Sequence, residues 1–242
     1  MTLWEKMLVD IEREFEDKND FLRHTMISRT ISPNNRQVTQ KYLDHVRGDF
    51  NCAINILPRI IDSPVGGVIT TEGYSQGTAQ HCHYLNIMLK YLNLQITDFD
   101  HITDIGGGYG NFYRIAKNLG YQGKFDIVDF PIMHKIQEYY LTELGLDLPN
   151  LIEMENINPT GKSILFGFHS INEMPISDRD FLEEKYPMYD NIMILYNYNF
   201  DGIDNVDYFE KLKNRLIDTF DVKIIDDQLK TNAKFLIGSK RK

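Results

Sequence analysis

From His101 to the end of the chain, seven short β-rich apolar runs alternate with segments of helical period, and no other feature narrows the fold so far. The runs are HITDI (101–105), FDIVDF (125–130), NLIEME (150–155), SILFGF (163–168), NIMILYNYNF (191–200), VKIID (222–226) and AKFLIG (233–238). Helical patterns such as Phe112 to Leu119 and Met133 to Leu144 occupy most of the earlier gaps. Strands alternating with helices make βαβ units, whose crossovers bring successive strands parallel. The first five runs are nearly continuous in apolar residues, as strands covered on both faces must be. The last two, separated only by Asp226 to Asn232, have no helix between them and are expected to pair as an antiparallel hairpin at one edge. The expected fold class is α/β: a doubly wound, mainly parallel seven-stranded sheet with an antiparallel C-terminal hairpin and an α-helical N-terminal cap.

The first hundred residues read differently. Trp4, Leu8, Ile11 and Phe15 recur at i, i+4, i+7 and i+11 among charged residues, the period of a half-buried helix that would serve a homodimer as well as a core. A second helix is expected from about Gln37 to Ile54, after Pro33, and a third from Thr78, as its cap, to about Leu94. Between them, residues 63–78 carry Gly66, Gly67, Gly73 and Gly77 and read as a lid-like loop. The length of 242 residues exceeds a typical domain of ~150. The expected division is a cap over 1–100 and a cofactor-binding domain over 101–242.

Composition excludes several classes. With 42% hydrophobic and 25% charged residues the chain is folded, not disordered. No apolar run reaches the ~18 residues that span a bilayer, and the acidic, amphipathic start lacks a secretory signal, so no membrane insertion is expected. Two cysteines without CxxC spacing suit a reducing compartment, and the expected location is cytoplasmic. A net charge of −9 disfavours binding to a phosphate backbone, so no nucleic-acid partner is expected. His81-Cys82-His83 looks metallic, but alternate residues on a helix point about 200° apart and cannot easily share an ion. Asp201, Asp204, Asn205 and Asp207 are the best magnesium candidate, and the same spacing suits a polar turn capping the next helix. No metal site is assigned.

The densest signal is Asp104-Ile105-Gly106-Gly107-Gly108-Tyr109-Gly110, between the first strand and a helix. Glycines there let the chain turn sharply and bring backbone N–H groups to a ligand at the carboxyl end of a strand. The dinucleotide fingerprint GxGxxG, started from Gly106, fails at Asn111. The pattern present is Asp-x-Gly-x-Gly-x-Gly, formed by Asp104, Gly106, Gly108 and Gly110. It resembles the nucleotide-binding turn of Rossmann-like S-adenosylmethionine methyltransferases, a resemblance that covers about Ile102 to the C-terminus. It implies S-adenosyl-L-methionine as cofactor. Asp129, ending the second strand, is then the carboxylate for the ribose hydroxyls, and Phe130 packs on the adenine.

Asp129-Phe130-Pro131, followed by Gln137-Glu138-Tyr139-Tyr140-Leu141, is similar to the "DLP…Q-x-YYL" stretch of the sugar O-methyltransferase family. His169-Ser170-Ile171-Asn172-Glu173-Met174 loosely follows that family's "N-x-S-M-x-E-M" stretch. The resemblance implies methyl transfer to a hydroxyl of a sugar or nucleotide-sugar small molecule. A protonated alcohol is a poor nucleophile and needs a general base, worth roughly 10² to 10⁴ in rate. The loop after the fourth strand supplies His169 as first choice, with Glu173 orienting it or contacting a sugar hydroxyl. The alternative is that His169 only bonds the cofactor's amino-acid end and Glu173 braces the loop. The same loop lacks the Asp/Asn-Pro-Pro-aromatic motif of enzymes that methylate nucleic-acid bases.

Overall fold

A computed structural model describes residues 3–241. Seven strands form one sheet: β1 (His101–Ile105), β2 (Lys124–Val128), β3 (Asn150–Ile152), β4 (Ser163–Phe168), β5 (Asn191–Asn197), β6 (Phe220–Asp226) and β7 (Ala233–Lys240). Their order across the sheet is β3-β2-β1-β4-β5-β7-β6. The first five strands are mutually parallel, and β7 runs antiparallel to both β5 and β6. The expected C-terminal hairpin is therefore present, with its last strand inserted beside β5.

Strand alternation decides which side chain meets which layer. In β5, Met193 and Leu195 enter the larger core, whereas Ile192, Ile194 and Tyr196 enter the smaller one. The larger core lies under helices α5 (Asn111–Asn118) and α6 (Pro131–Glu143) and the N-terminal cap; the smaller lies under α7 (Ile176–Glu183) and α8 (Asn205–Leu216). Both faces of the central strands are covered, which is why their sequences are apolar throughout.

The cap comprises α1 (Leu3–Glu14), α2 (Thr25–Thr30), α3 (Arg36–Arg47) and α4 (Gln76–Leu92). Ile11 and Phe15 are buried as their spacing predicts, and Phe15 and Phe21 pack edge-on against Tyr139 of α6 at 5.8 Å. The expected 37–54 helix is shorter: α3 starts behind the Asn35 cap and ends at Gly48, and a separate π turn follows at Cys52–Ile56. Ser75, not Thr78, caps α4; its Oγ accepts the Thr78 N–H at 3.2 Å, so Thr78 already stands inside the first turn. Cys52 and Cys82 are buried free thiols.

The 63–78 loop is held at both ends. Gly66 and Gly67 have φ of 73° and 70° and abut Phe21, Leu22 and Asp20, and the Arg23 Nε donates to Gly67 O at 2.5 Å. At the other end Asp62 accepts from Ser75 N at 2.6 Å and Thr78 Oγ1 at 2.8 Å.

The parallel strands all finish at one edge. Because β7 is antiparallel and Ala233 pairs with Asn197, the β6–β7 loop also stands at that edge. Loops from distant parts of the sequence thus converge above the carboxyl ends of β1, β2, β4 and β5.

Candidate functional site

The turn leaving β1 is shaped by its glycines. Gly106, Gly108 and Gly110 have φ of 75°, 58° and 90°, a region where side chains other than glycine are strained. A Cβ on Gly106 would stand 2.4 Å from Ser170 Cβ, and one on Gly107 2.7 Å from Ile127 Cγ2. The turn is thus wedged between the β4 loop and β2, with the Ser170 hydroxyl donating to Ile105 O. Gly106 N donates to Val128 O at 2.8 Å, locking the turn to the end of β2.

Two carboxylates flank it. Asp104 is buried, and that burial, reinforced by the charge of Asp129, lifts its carboxyl to about 8. Asp129 is half-buried and raised by desolvation to about 7, against the pull of the N–H donors from Phe130, Gln137 and Gly108. Gln137, in the QEYYL stretch, has a structural task. Its amide donates to Gly108 O at 2.9 Å and to Asp129 Oδ2 at 3.0 Å, joining the glycine turn to the acidic end of β2. Phe130 is exposed and faces the Trp4 ring of α1, with centroids 6.4 Å apart and planes 31° from parallel.

Beneath the turn, Arg114 of α5 is buried and bonded on all sides. It reaches Asp62 Oδ1 at 2.8 Å, Thr78 Oγ1 at 3.0 Å, Asn111 Oδ1 at 2.9 Å and Ile61 O at 3.0 Å. The cap is anchored through this guanidinium to the helix that follows the glycine turn.

The β4 loop carries the two residues singled out for chemistry. His169 has φ of 69°, a strained value for a side chain of its size, and its N–H donates to Leu195 O at 2.8 Å. Lys230 Nζ, from the β6–β7 loop, lies 3.5 Å from His169 Nε2. Burial and then the Lys230 charge push His169 down to about 3, so its imidazole is neutral. With Lys230 donating to Nε2, the ring proton sits on Nδ1, a buried atom without a hydrogen-bond partner. Glu173 is raised to about 7 by burial, and its Oε2 accepts from Trp4 Nε1 at 3.0 Å.

A residue that periodicity and motif left unmarked completes the group. Asp227, at the start of the β6–β7 loop, is 4% exposed; its Oδ1 accepts from Leu229 N at 2.8 Å and lies 3.2 Å from His83 Nε2. Burial works against its charge, but the His83 and Leu229 contacts outweigh it and hold the carboxyl below its usual range. Asp227 Oδ2, His83 Nδ1, His169 Nδ1 and Tyr42 Oη are all buried and unpartnered. Buried polar atoms left unpaired each cost of order 1–3 kcal/mol, and four of them stand in the group around Asp227.

His81 and His83 diverge as expected from helix geometry: His81 packs against Phe112 and Phe168, and His83 against Tyr42, His45 and Asp227. Asp204 caps α8 by accepting from Asp207 N at 3.1 Å, and Asn205 is buried against Arg179. Among the described residues no three His, Cys, Asp or Glu side chains are grouped to hold a metal ion, and no helix is long and apolar enough to cross a membrane. Clefts of about 640 Å³ and 510 Å³ lie between α7 and α8 and between α1 and α6, away from the glycine turn.

No family model matches the chain, and no curated protein does. Solved structures do match. One is a chain of the Pnkp1/Rnl/Hen1 RNA repair complex, with 13% identity over 66% of this chain and 41% of that one, at a TM-score of 0.51. Another is an rRNA methylase from Streptococcus thermophilus, with 15% identity, 60% and 89% coverage and a TM-score of 0.47. A third is a SAM dependent methyltransferase from Aquifex aeolicus, with 18% identity, 58% and 82% coverage and a TM-score of 0.43. The fold is a Rossmann-like α/β one, a seven-stranded, mostly parallel sheet with an antiparallel C-terminal pair.

Two expectations change with these findings. The resemblance to the sugar O-methyltransferase family has no matching family model behind it, and the likeness that stands is one of fold. The exclusion of a nucleic-acid partner is overturned, because a chain of an RNA repair complex shares this fold. The physical flaw in that exclusion is that net charge is a sum over the whole chain, whereas phosphate recognition needs only a local basic surface.

Proposed function

We propose that this chain binds S-adenosylmethionine on the glycine turn and transfers its methyl group to a hydroxyl acceptor. The observation that carries the reading is one juxtaposition: the Gly106–Gly110 turn, flanked by Asp104 and Asp129, shares a sheet edge with the unpartnered polar atoms around Asp227. The residues present suit the cofactor. The positive-φ glycines put no side chain over the turn at the carboxyl end of β1, Asp129 accepts hydroxyl hydrogen bonds, and Phe130 offers an aromatic face beside it. When bound, S-adenosylmethionine supplies an electrophilic methyl on a sulfonium.

The protein's part is to hold and polarise the acceptor oxygen. Asp227 is ionised across the neutral range, with its Oδ2 free to accept the hydroxyl's hydrogen. His83 steadies the other carboxylate oxygen through its Nε2, 3.2 Å from Asp227 Oδ1. The Nδ1–H of His169 is a donor to the acceptor oxygen or to the cofactor's carboxylate, and Lys230 fixes that tautomer. Glu173, bonded to Trp4, braces the loop.

A sugar hydroxyl is the acceptor that the DFP…QEYYL and HSINEM stretches favour, whether on a small molecule or on the ribose of an RNA. Calorimetry with S-adenosylmethionine and S-adenosylhomocysteine tests the first half; absence of binding by both overturns it. Methyl-tritium transfer to a panel of sugars, nucleotide sugars and RNA oligonucleotides tests the second half. Label recovered as a methyl ether supports the hydroxyl reading, and label recovered only on nitrogen or carbon refutes it.

A further inference from the structure

Two guanidiniums are buried among the described residues, and they differ in counter-charge. Arg114 is paired with Asp62 at 2.8 Å. Arg179 of α7 is fully buried, yet among the described residues no Asp or Glu forms an ion pair with it. Its hydrogen bonds all go to neutral oxygens: Nη1 to Asn205 Oδ1 at 2.8 Å, Nη2 to Asn172 O at 2.5 Å and Nε to Met174 O at 2.9 Å. The titratable groups near enough to act on it are Tyr208, whose ring centroid lies 4.9 Å from Cζ, and Tyr186. Burial pushes Tyr208 up to about 12 and Tyr186 well above its ordinary range, so both are neutral phenols and neither supplies a negative charge. A guanidinium stays protonated in proteins, so a full positive charge stands in the interior, where charge is costly unless it is paired. The polar atoms around it are mostly donors. Asn205 Nδ2, Tyr186 Oη and Tyr208 Oη are buried without partners, and Asn172, whose backbone oxygen Arg179 holds, has both amide atoms unpartnered. Tyr208 also lines the cleft of about 640 Å³ between α7 and α8, together with Asp180, Glu183 and Glu184. Those carboxylates oppose a polyanion such as a nucleic-acid backbone, and Arg215 holds one of them, Glu183, at 2.5 and 2.7 Å.

We infer that Arg179, with Asn205, Asn172 and the Tyr186 and Tyr208 hydroxyls, forms a buried site for one small monovalent anion of halide size, such as chloride. A single negative charge neutralises the guanidinium, and the amide and phenol donors complete its coordination. The site is separate from the glycine turn and does not depend on the cofactor reading. Its consequence falls on the β4 loop: Arg179 holds Asn172 and Met174, at the end of the loop that carries His169 and Glu173, together with Asn205 at the start of α8. An anion bound there stiffens the junction of loop and helix.

Thermal unfolding of the full-length protein, with potassium chloride replacing potassium gluconate at fixed ionic strength, tests the site while screening of the net charge of −9 stays constant. A ligand that binds the folded state alone stabilises it by ~1.4 kcal/mol for each tenfold rise in concentration above its Kd, so the midpoint should climb by roughly 3–6 °C per tenfold chloride. Arg179→Met removes the charge and should abolish the climb. Tyr208→Phe keeps the ring over the guanidinium but removes one donor, and should raise the chloride concentration required by roughly threefold to tenfold. Crystals grown in bromide should show an anomalous-scattering peak beside the Arg179 guanidinium. A parent midpoint indifferent to chloride, or no bromide peak beside Arg179, overturns the site and leaves the cofactor reading standing. So does a climb that survives Arg179→Met or, where that variant does not fold, one that is undiminished in Tyr208→Phe.

Discussion

Replacing Asp104 by Asn should stabilise the cofactor-free protein in a pH-dependent way. Asp104 is 3% exposed, and burial together with the Asp129 charge raises its carboxyl to about 8. In the unfolded chain the same group titrates near ~3.9. A folded pKa above the unfolded one means that the native protein retains a proton the unfolded chain has released. Stability is therefore unaffected below about pH 4 and declines as pH rises toward 8. The loss is about 1.4 kcal/mol per pH unit, and by pH 7 it reaches the order of 4 kcal/mol. Asparagine keeps the shape of the side chain and removes the titration. Urea unfolding of parent and Asp104→Asn without cofactor should give a stability difference that widens by about 1.4 kcal/mol per unit between pH 5 and 7. Thermal melts should diverge by roughly 3–6 °C per pH unit for a chain of this size. The slope is the diagnostic quantity, because a change in packing would shift both curves by a constant. A difference that does not vary between pH 5 and 8 would refute the buried, proton-retaining Asp104. The same variant should lose most of the melting-temperature rise that S-adenosylhomocysteine gives the parent, since a site kept at a cost to stability is kept for its ligand.

Other consequences are open to direct measurement. Asp129 is raised to about 7 in the free protein and accepts hydroxyls best when ionised, so S-adenosylhomocysteine affinity measured by calorimetry should fall by as much as about tenfold per pH unit below 7. Asp129→Ala should weaken binding at all pH values and flatten that dependence. Asp227→Asn should lower kcat by about 10² while cofactor affinity stays within about threefold; an unchanged kcat would remove Asp227 from the chemistry. Arg114→Met strands Asp62 in the interior and should destabilise the fold by about 3–5 kcal/mol in urea unfolding, and a loss below about 1 kcal/mol would show that the pair contributes little.

The sequence alone determined the layering and the turn. Strand and helix periods are local, so the alternation from His101 onward sufficed for the parallel sheet. The missing helix between the last two runs sufficed for the antiparallel hairpin, because a tight turn cannot reverse into a parallel neighbour. Glycine spacing was legible for the same reason: Gly106, Gly108 and Gly110 answer to backbone angles within a few residues of themselves. The α4 cap slipped by one turn because Ser75 and Thr78 are both good caps, and only the contact of Thr78 with Asp62 distinguishes them. Tertiary structure alone decided what meets across the site. Asp227 lies 144 residues from His83, Trp4 lies 169 from Glu173, and Arg114 lies 52 from Asp62. A periodic pattern says which face of an element is buried but not which other element covers it. The partners of a buried charge depend on how helices from the cap close over the sheet. That closure turned an ordinary hairpin aspartate into the centre of a polar cluster, and brought a half-buried helix tryptophan onto Glu173 of the β4 loop.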